Sequence, residues 1–255
     1  MSASRVLITG GASGIGATFA HRFAARGDRV AVCDTNAEAV ADMAAAHPDM
    51  LVRQADVTDE AQMTGFLDEV EQVFGGIDVV CANAGTGGPA GLIEDLDYDA
   101  WQDCIAVNLH GTFLTCRWAA RLMRAQGAGL IVLTTSTAGQ WGYPYRSPYA
   151  SSKWALVGLT KTLAMELGPA GVRVNALAPS AVEGDRMDRV VAMEARASGK
   201  TEAEVRAQYV KGVSLRSWVT ADDLADTLMY LASPAAAKIS GQVLVIDGQT
   251  ETLVS

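Results

Sequence analysis

Short runs of consecutive apolar residues recur along the chain, separated by longer stretches with helical spacing. The runs are Val6-Leu7-Ile8, Val30-Ala31-Val32-Cys33, a segment from Leu51-Val52 to Asp56, Ile77 to Cys81, Leu130 to Leu133, Val172 to Leu177, and Val243 to Ile246. Apolar runs without polar alternation suit strands buried on both faces. Helices are predicted through His21-Arg22-Phe23, from about Ala37 to Ala46, and from a cap at Thr58 to Gly75-Gly76. Two longer ones are predicted over about 99–126 and 148–167.

Strand and helix in strict alternation imply right-handed crossovers and a parallel sheet covered on both sides. The expected fold class is therefore α/β: a single-domain, doubly wound (Rossmann-type) seven-stranded parallel sheet spanning 1–255. No linker, repeat or low-complexity tract divides the chain. The polar segment from about 180 to 216 is the exception, and is expected to form one or two amphipathic helices as a lid. Thr220-Ala221-Asp222-Asp223, just beyond it, has the spacing of a capping box with Asp in the fourth place.

Composition narrows the function. Of 255 residues 49% are hydrophobic and 19% charged, which provides a full core and excludes wholesale disorder. A net charge of −9 argues against nucleic-acid binding, which needs a basic face. Cys33, Cys81, Cys104 and Cys116 have no C-x-x-C spacing, and His21, His47 and His110 are equally scattered, so no metal site is expected. The cysteines read as small buried hydrophobes in a reducing compartment. No apolar run approaches the roughly 18 residues of a membrane span, and no secretory signal is visible, so a cytoplasmic location is expected.

Thr9-Gly10-Gly11-Ala12-Ser13-Gly14-Ile15-Gly16 falls between the first predicted strand and the first helix. Gly10, Gly14 and Gly16 let backbone approach a pyrophosphate at a helix N-terminus, where free N–H groups and the dipole favour an anion. Asp34 ends the second strand, where a carboxylate suits both hydroxyls of a ribose and repels a 2′-phosphate. No basic residue follows it directly, so NAD is expected over NADP.

Tyr149 and Lys153 are one helical turn apart, hence on one face. A nearby ammonium favours the phenolate, so the pair can exchange a proton with a substrate hydroxyl. Ser136 follows the fifth strand, where its hydroxyl can bind a substrate oxygen. Asn108 is a poor helix former within a helical stretch, where its amide can hold a water beside Lys153 or satisfy a packed interface.

In this order and spacing the residues resemble the short-chain dehydrogenase/reductase family over nearly the whole chain. The glycine motif matches Gly10, Ser13, Gly14, Ile15 and Gly16, and the acidic cofactor determinant matches Asp34. The pair flanking adenine matches Asp56-Val57, and the N-A-G loop matches Asn83-Ala84-Gly85. The active-site tetrad matches Asn108, Ser136, Tyr149 and Lys153, and the R-V-N-x-x-x-P segment matches Arg173-Val174-Asn175 and Pro179. Ser180 stands where the family usually has Gly, and its nicotinamide-contacting Thr is missing, leaving the Val182 backbone for that contact.

The resemblance implies that Tyr149 is the general base of alcohol oxidation, with Lys153 lowering its pKa and binding the nicotinamide ribose. Ser136 would orient the reacting oxygen, and Asn108 would hold a relay water. It also implies a homotetramer with the two long helices across one two-fold axis; Trp118, Leu122, Trp154, Leu159 and Leu163 suit either core or interface.

The pocket walls should include Trp141, Tyr143, Arg146 and, from the lid, Arg186. In an acidic protein such arginines could clamp a carboxylate or sulfonate, or else pair with Glu183, Asp185 or Asp188. The expected substrate is a small polar hydroxy or keto compound, a sugar acid or hydroxyacid. Trp141, Tyr143 and Tyr145 suit instead a steroid or cyclic ketone. A 3-oxoacyl-carrier-protein reductase is opposed by Asp34 and the acidic surface. A non-catalytic NAD-binding regulator is opposed by the intact tetrad.

Overall fold

A computed structural model describes residues 3–250, with the side chains of a few lid residues excepted. Seven strands form one parallel sheet in the order β3-β2-β1-β4-β5-β6-β7. They are β1 (Arg5–Thr9), β2 (Arg29–Asp34), β3 (Leu51–Gln54), β4 (Val79–Ala82), β5 (Gly129–Thr134), β6 (Val172–Pro179) and β7 (Val243–Ile246). The crossover helices on one face are α1 (Gly14–Ala25), α2 (Ala37–Ala46) and α9 (Ala221–Leu231). On the other face lie α3 (Glu60–Phe74), α5 (Gly111–Gln126) and α6 (Ser147–Leu167). The short α4 (Tyr98–Ile105) precedes α5, and α7 (Asp185–Ser198) and α8 (Glu202–Lys211) occupy the expected lid segment.

The strands read as unbroken apolar runs because successive side chains feed two different cores. In β1, Val6 and Ile8 pack with Phe19 and Phe23 of α1, while Leu7 points into the other layer, which holds Val70 of α3 and Met123 of α5. Burying each of Phe19 and Phe23 completely stabilises the fold by about 1.5–3 kcal/mol. The lid helices have a small core of their own, in which Val191, Ala195 and Val205 pack against Tyr209 and Trp218.

The structure corrects three local expectations. The third strand stops at Gln54 and not at Asp56, because the Asp56 carboxylate accepts hydrogen bonds from Thr58 N and Oγ1, both at 2.8 Å. That local turn competes with the strand ladder. It also occupies the Thr58 hydroxyl, so Asp59 caps α3 instead, accepting from Ala61 N at 2.9 Å and Gln62 N at 3.0 Å. The predicted helix over about 99–126 is interrupted by a π-helical turn, Ala106–His110, between α4 and α5. The capping box at Thr220 is present, with Asp223 reciprocating.

β1 and β4 are neighbours whose crossovers leave in opposite directions, toward β2 and toward β5. This opens a crevice at the carboxyl ends of the central strands, where ligands bind in open α/β sheets.

Candidate active site

The glycine loop crosses that crevice between β1 and α1. Gly10 has φ +60°, and a Cβ there would lie 2.8 Å from Ala84 Cα, so only glycine fits between β1 and the loop after β4. A Cβ on Gly16 would lie 2.1 Å from Gly10 O. The α1 N-terminus has no side-chain cap from Ser13 and no acidic residue in its first turn. Its free N–H groups and dipole are therefore available to a phosphate. Asp34 Oδ2 accepts from Ala12 N at 3.2 Å, which fixes its carboxylate against this loop. Residues and spacing fit a dinucleotide: Gly10 to Gly16 would hold its pyrophosphate and Asp34 its adenosine ribose.

Asn83-Ala84-Gly85 ties β4 to both neighbouring strands. Thr9 Oγ1 accepts from Asn83 N at 3.1 Å and from Ala84 N at 3.2 Å. Asn83 Nδ2 donates to Gly10 O at 3.1 Å, and its Oδ1 accepts from Thr134 Oγ1 at 3.1 Å. Val57 is buried against Gly111, the first residue of α5.

The four tetrad positions come from three parts of the fold. Asn108 lies in the π turn, Ser136 just after β5, and Tyr149 and Lys153 in the first two turns of α6. Asn108 is fully buried. Its Oδ1 accepts from Thr86 N at 2.8 Å, and its Nδ2 donates to Thr86 O at 3.1 Å and to Ser152 Oγ at 3.0 Å. The π turn explains why a poor helix former sits there: one extra residue re-aims the side chain across the gap to α6. Lys153 Nζ donates to Thr134 O at 2.9 Å and lies 5.7 Å from the centre of the Tyr149 ring. A Cβ on Gly85 would come within 3.0 Å of Asn108 Oδ1 and 3.3 Å of Lys153 Nζ, so the N-A-G glycine leaves the space between them open. Ser136 Oγ donates to Pro179 O at 3.4 Å and accepts from Ala138 N at 3.2 Å.

The expected wall residues differ in placement. Arg146 donates to Gly87 O at 2.8 Å, with its guanidinium 5.3 Å from the Tyr149 ring centre and 5.6 Å from that of Tyr143. Trp141 is half exposed. Arg186 lies on α7, with its side chain outside the described residues. Asp188 pairs with Arg206. Beyond the sheet, Val182 bridges to Val219, with Glu183 N donating to Val219 O at 2.8 Å, and this fixes the backbone that leads into the lid.

A family model described as enoyl-(acyl carrier protein) reductase matches residues 10–248. The chain belongs to the short-chain dehydrogenase/reductase family. It is 36% identical to a 2-(R)-hydroxypropyl-CoM dehydrogenase of Xanthobacter autotrophicus over 96% of this chain and 98% of that one. It is 34% identical to a cis-4-hydroxycyclohexanecarboxylate dehydrogenase of Sinomonas cyclohexanicum, over 95% and 94%. An NAD+-bound xylitol dehydrogenase superposes with a TM-score of 0.88 at 30% identity, covering 94% of this chain and 96% of that one. As a member of this oxidoreductase family the protein has a nicotinamide-binding fold; related structures hold NAD+ in one case and NADP in another.

The same network contains groups that the motifs did not single out. Ser152 passes the Asn108 hydrogen bond on to Tyr149 O, donating at 2.7 Å. Thr135 Oγ1 donates to Lys153 O at 2.8 Å. Cys104 Sγ accepts from Asn108 Nδ2 at 3.4 Å. Burial pushes the Cys104 thiol up, opposed by the charges of Lys153 and Arg146 and by hydrogen bonds with Asn108 and Ser152. Burial, aided by the Asp34 charge, pushes Cys33 up to about 12, and burial alone takes Cys116 to about 12. All four cysteines are buried and free. A serine within a helix or a threonine just after a strand gives no sequence signal of its partner, so only the fold identifies Ser152 and Thr135.

Proposed function

We propose that the protein is an NAD-dependent dehydrogenase/reductase that interconverts a secondary alcohol and ketone on a small polar molecule of the sugar-acid or hydroxyacid class. The carrying observation is the convergence of Asn108 and Lys153 on Gly85, with the Tyr149 ring beside Lys153. In oxidation Tyr149 takes the hydroxyl proton as the carbinol carbon gives up its hydride; in reduction it returns the proton to the carbonyl oxygen. Lys153, held by Thr134 O beside the Tyr149 ring, would bind the nicotinamide ribose. Ser136 binds the reacting oxygen as charge develops on it, and Asn108 holds a water of the proton relay. The bound nicotinamide supplies the hydride chemistry. Asp34 against the loop supports NAD, since a 2′-phosphate would meet its carboxylate.

Asp56 and Val57 would flank the adenine in this reading, Pro179 and Val182 would border the nicotinamide, and Trp141 and Tyr143 would complete the substrate walls. The chain acts as one catalytic domain with α7 and α8 as its lid. Phe113 of α5 and Trp154 and Met165 of α6 are exposed apolar residues, which supports packing of these helices across a two-fold axis of a homotetramer. Among the described residues no helix is long and apolar enough to cross a membrane, and we place the enzyme in the cytoplasm. The test is a screen of sugar acids, hydroxyacids, polyols and cyclic alcohols with NAD and NADP, following reduced nicotinamide. Turnover with NAD is expected; activity only with NADP, or with no secondary alcohol, overturns the reading.

A further inference from the structure

Arg146, like Arg29, Arg124 and Arg173, holds a backbone carbonyl and pairs with no carboxylate among the described residues, but it lies against the Tyr149 ring. Arg5, Arg22, Arg53 and Arg206 all pair with carboxylates. Among the described residues no carboxylate lies within ion-pair distance of Arg146. Its guanidinium is nevertheless held in place. Nη2 donates to Gly87 O, Nε is sealed from solvent without a partner, and the group lies near the Tyr143 and Tyr149 rings. Nη1 neither makes a hydrogen bond among the described residues nor is sealed.

The backbone that delivers this side chain is strained. Tyr145, the preceding residue, has φ +61°, a left-handed conformation unusual for a tyrosine, and its carbonyl accepts from Gly91 N at 2.9 Å. Such a conformation persists where its surroundings impose it, and it clusters at ligand sites. Two hydrogen bonds therefore fasten the loop after β4 to the entry of α6: Gly91 N to Tyr145 O, and Arg146 Nη2 to Gly87 O. A charge fixed this way loses little freedom on binding a ligand. In a protein of net charge −9 a guanidinium without a carboxylate partner, added to Lys153 beside Tyr149, also marks a place where an anion is locally favoured.

We infer that Arg146 is the substrate's anion-binding group: its free edge takes the carboxylate or sulfonate of a short hydroxy- or ketoacid whose carbinol oxygen meets Tyr149. This rests on the proposed dehydrogenase reading and narrows its substrate class. Because the guanidinium is 5.3 Å from the Tyr149 ring centre, acid and carbinol are separated by only a few bonds. A neutral polyol would leave the cation unmatched. The other explanation, that Arg146 only braces Gly87, predicts that its loss impairs neutral and anionic ligands alike.

The test has a binding arm and a turnover arm. In the first, butyrate and butanamide are titrated calorimetrically into the wild-type protein saturated with NADH, and into R146Q and R146K. Butyrate is expected to bind at least about tenfold more tightly than butanamide, as a charge-assisted hydrogen bond implies, and R146Q to abolish the difference. R146K should keep part of it, since the charge remains but the fork is lost. Equal affinity of the two ligands for the wild type overturns the inference without recourse to a variant. So does a preference that survives R146Q.

In the second arm, kcat/KM for 3-hydroxybutyrate is divided by that for its methyl ester. The ratio should fall about 10- to 100-fold in R146Q. An unchanged ratio, with both compounds slowed together, makes Arg146 a brace and leaves the dehydrogenase reading standing. Butyrate selectivity lost in R146Q, combined with no oxidation of any secondary alcohol by NAD or NADP, has the opposite meaning: the anion site stands and the dehydrogenase reading fails.

Discussion

Asn108 reaches across from the π turn to donate to Ser152 Oγ at 3.0 Å, and Ser152 in turn donates to the Tyr149 carbonyl at 2.7 Å. Asn108 also brackets both the N–H and the C=O of Thr86. One buried amide thus sets the distance between the loop after β4 and the helix that carries the phenol. Ser152→Ala removes the middle of this chain and leaves Asn108 Nδ2 with Thr86 O and Cys104. A lost buried hydrogen bond is worth about 1–2 kcal/mol, so kcat should fall roughly 5- to 30-fold if the tie positions the acid–base pair. The KM for the dinucleotide, proposed to bind chiefly at the glycine loop, should change far less. Steady-state kinetics at saturating alcohol separate the two, and an unchanged kcat would show that the tie is structural only.

Tyr149→Phe removes the proposed proton-transfer group and retains the ring near Lys153 and Arg146. Turnover should drop by about 10²–10⁴-fold, the contribution of a general acid–base group. Dinucleotide binding, read by fluorescence of the reduced nicotinamide, should stay within a few-fold of wild type. A variant that keeps a tenth of wild-type turnover would move the proton transfer to another residue.

The residues that show how much was legible beforehand are the glycines and the strand runs. Val6-Leu7-Ile8 announced a strand between two cores, because both faces of a parallel sheet are covered. Gly10 and Gly16 announced a close backbone approach, because no side chain fits there. The π turn at Ala106–His110 was not readable: helical spacing extends through it, and only the tertiary demand on Asn108 distinguishes it. Thr58 and Asp59 are both good capping residues, and the choice between them depends on where the Asp56 carboxylate turns. Arg146 could be placed between Ser136 and Tyr149, but whether it had an acidic partner was decided by the packing of two loops.

In the proposed reading Asp34 sets the cofactor choice. Its carboxylate is positioned by Ala12 N and also accepts from Asn36 N at 3.1 Å. Replacing it with Ala removes the charge that a 2′-phosphate would face. The ratio of kcat/KM for NAD to that for NADP should shrink by at least about tenfold, since a like-charge contact costs several kcal/mol. The ratio is measured with one alcohol under both cofactors. A ratio that does not move would place the discrimination elsewhere in the loop.

Gly16→Ala should be more damaging than Gly14→Ala, although both lie in the same motif. A Cβ at position 16 would meet Gly10 O at 2.1 Å and Asn83 Nδ2 at 2.8 Å, whereas position 14 has nothing within 4 Å and only its φ of +50° to oppose a side chain. Forcing an atom into closed backbone packing costs about 1–3 kcal/mol, which for a chain of this size lowers Tm by roughly 2–10 °C. Nucleotide affinity should fall with it, because the displaced atoms form the loop proposed to hold the phosphates. Calorimetric melting of the two variants side by side, with and without NAD, tests the order.

The Arg5–Asp78 pair joins the start of β1 to the residue preceding β4, and it gives the fold a pH dependence of known sign. Arg5 Nη2 and Nε donate to Asp78 at 2.7 and 2.9 Å, and the Arg5 backbone N–H adds a third bond at 2.8 Å. Burial alone would raise the Asp78 carboxyl, but these bonds and the Arg5 charge more than reverse it, so it lies below the ordinary carboxylate range. A carboxyl depressed by folding contributes stability above its unfolded value, about 4, and that contribution disappears as pH falls through the folded value. The Tm difference between wild type and Asp78→Asn should therefore be constant from about pH 8 to 5 and close progressively below about pH 4. Its size should be modest, because both partners remain partly open to solvent and are screened. A gap that persists unchanged under strongly acid conditions would assign the Asp78 contribution to packing and not to its charge.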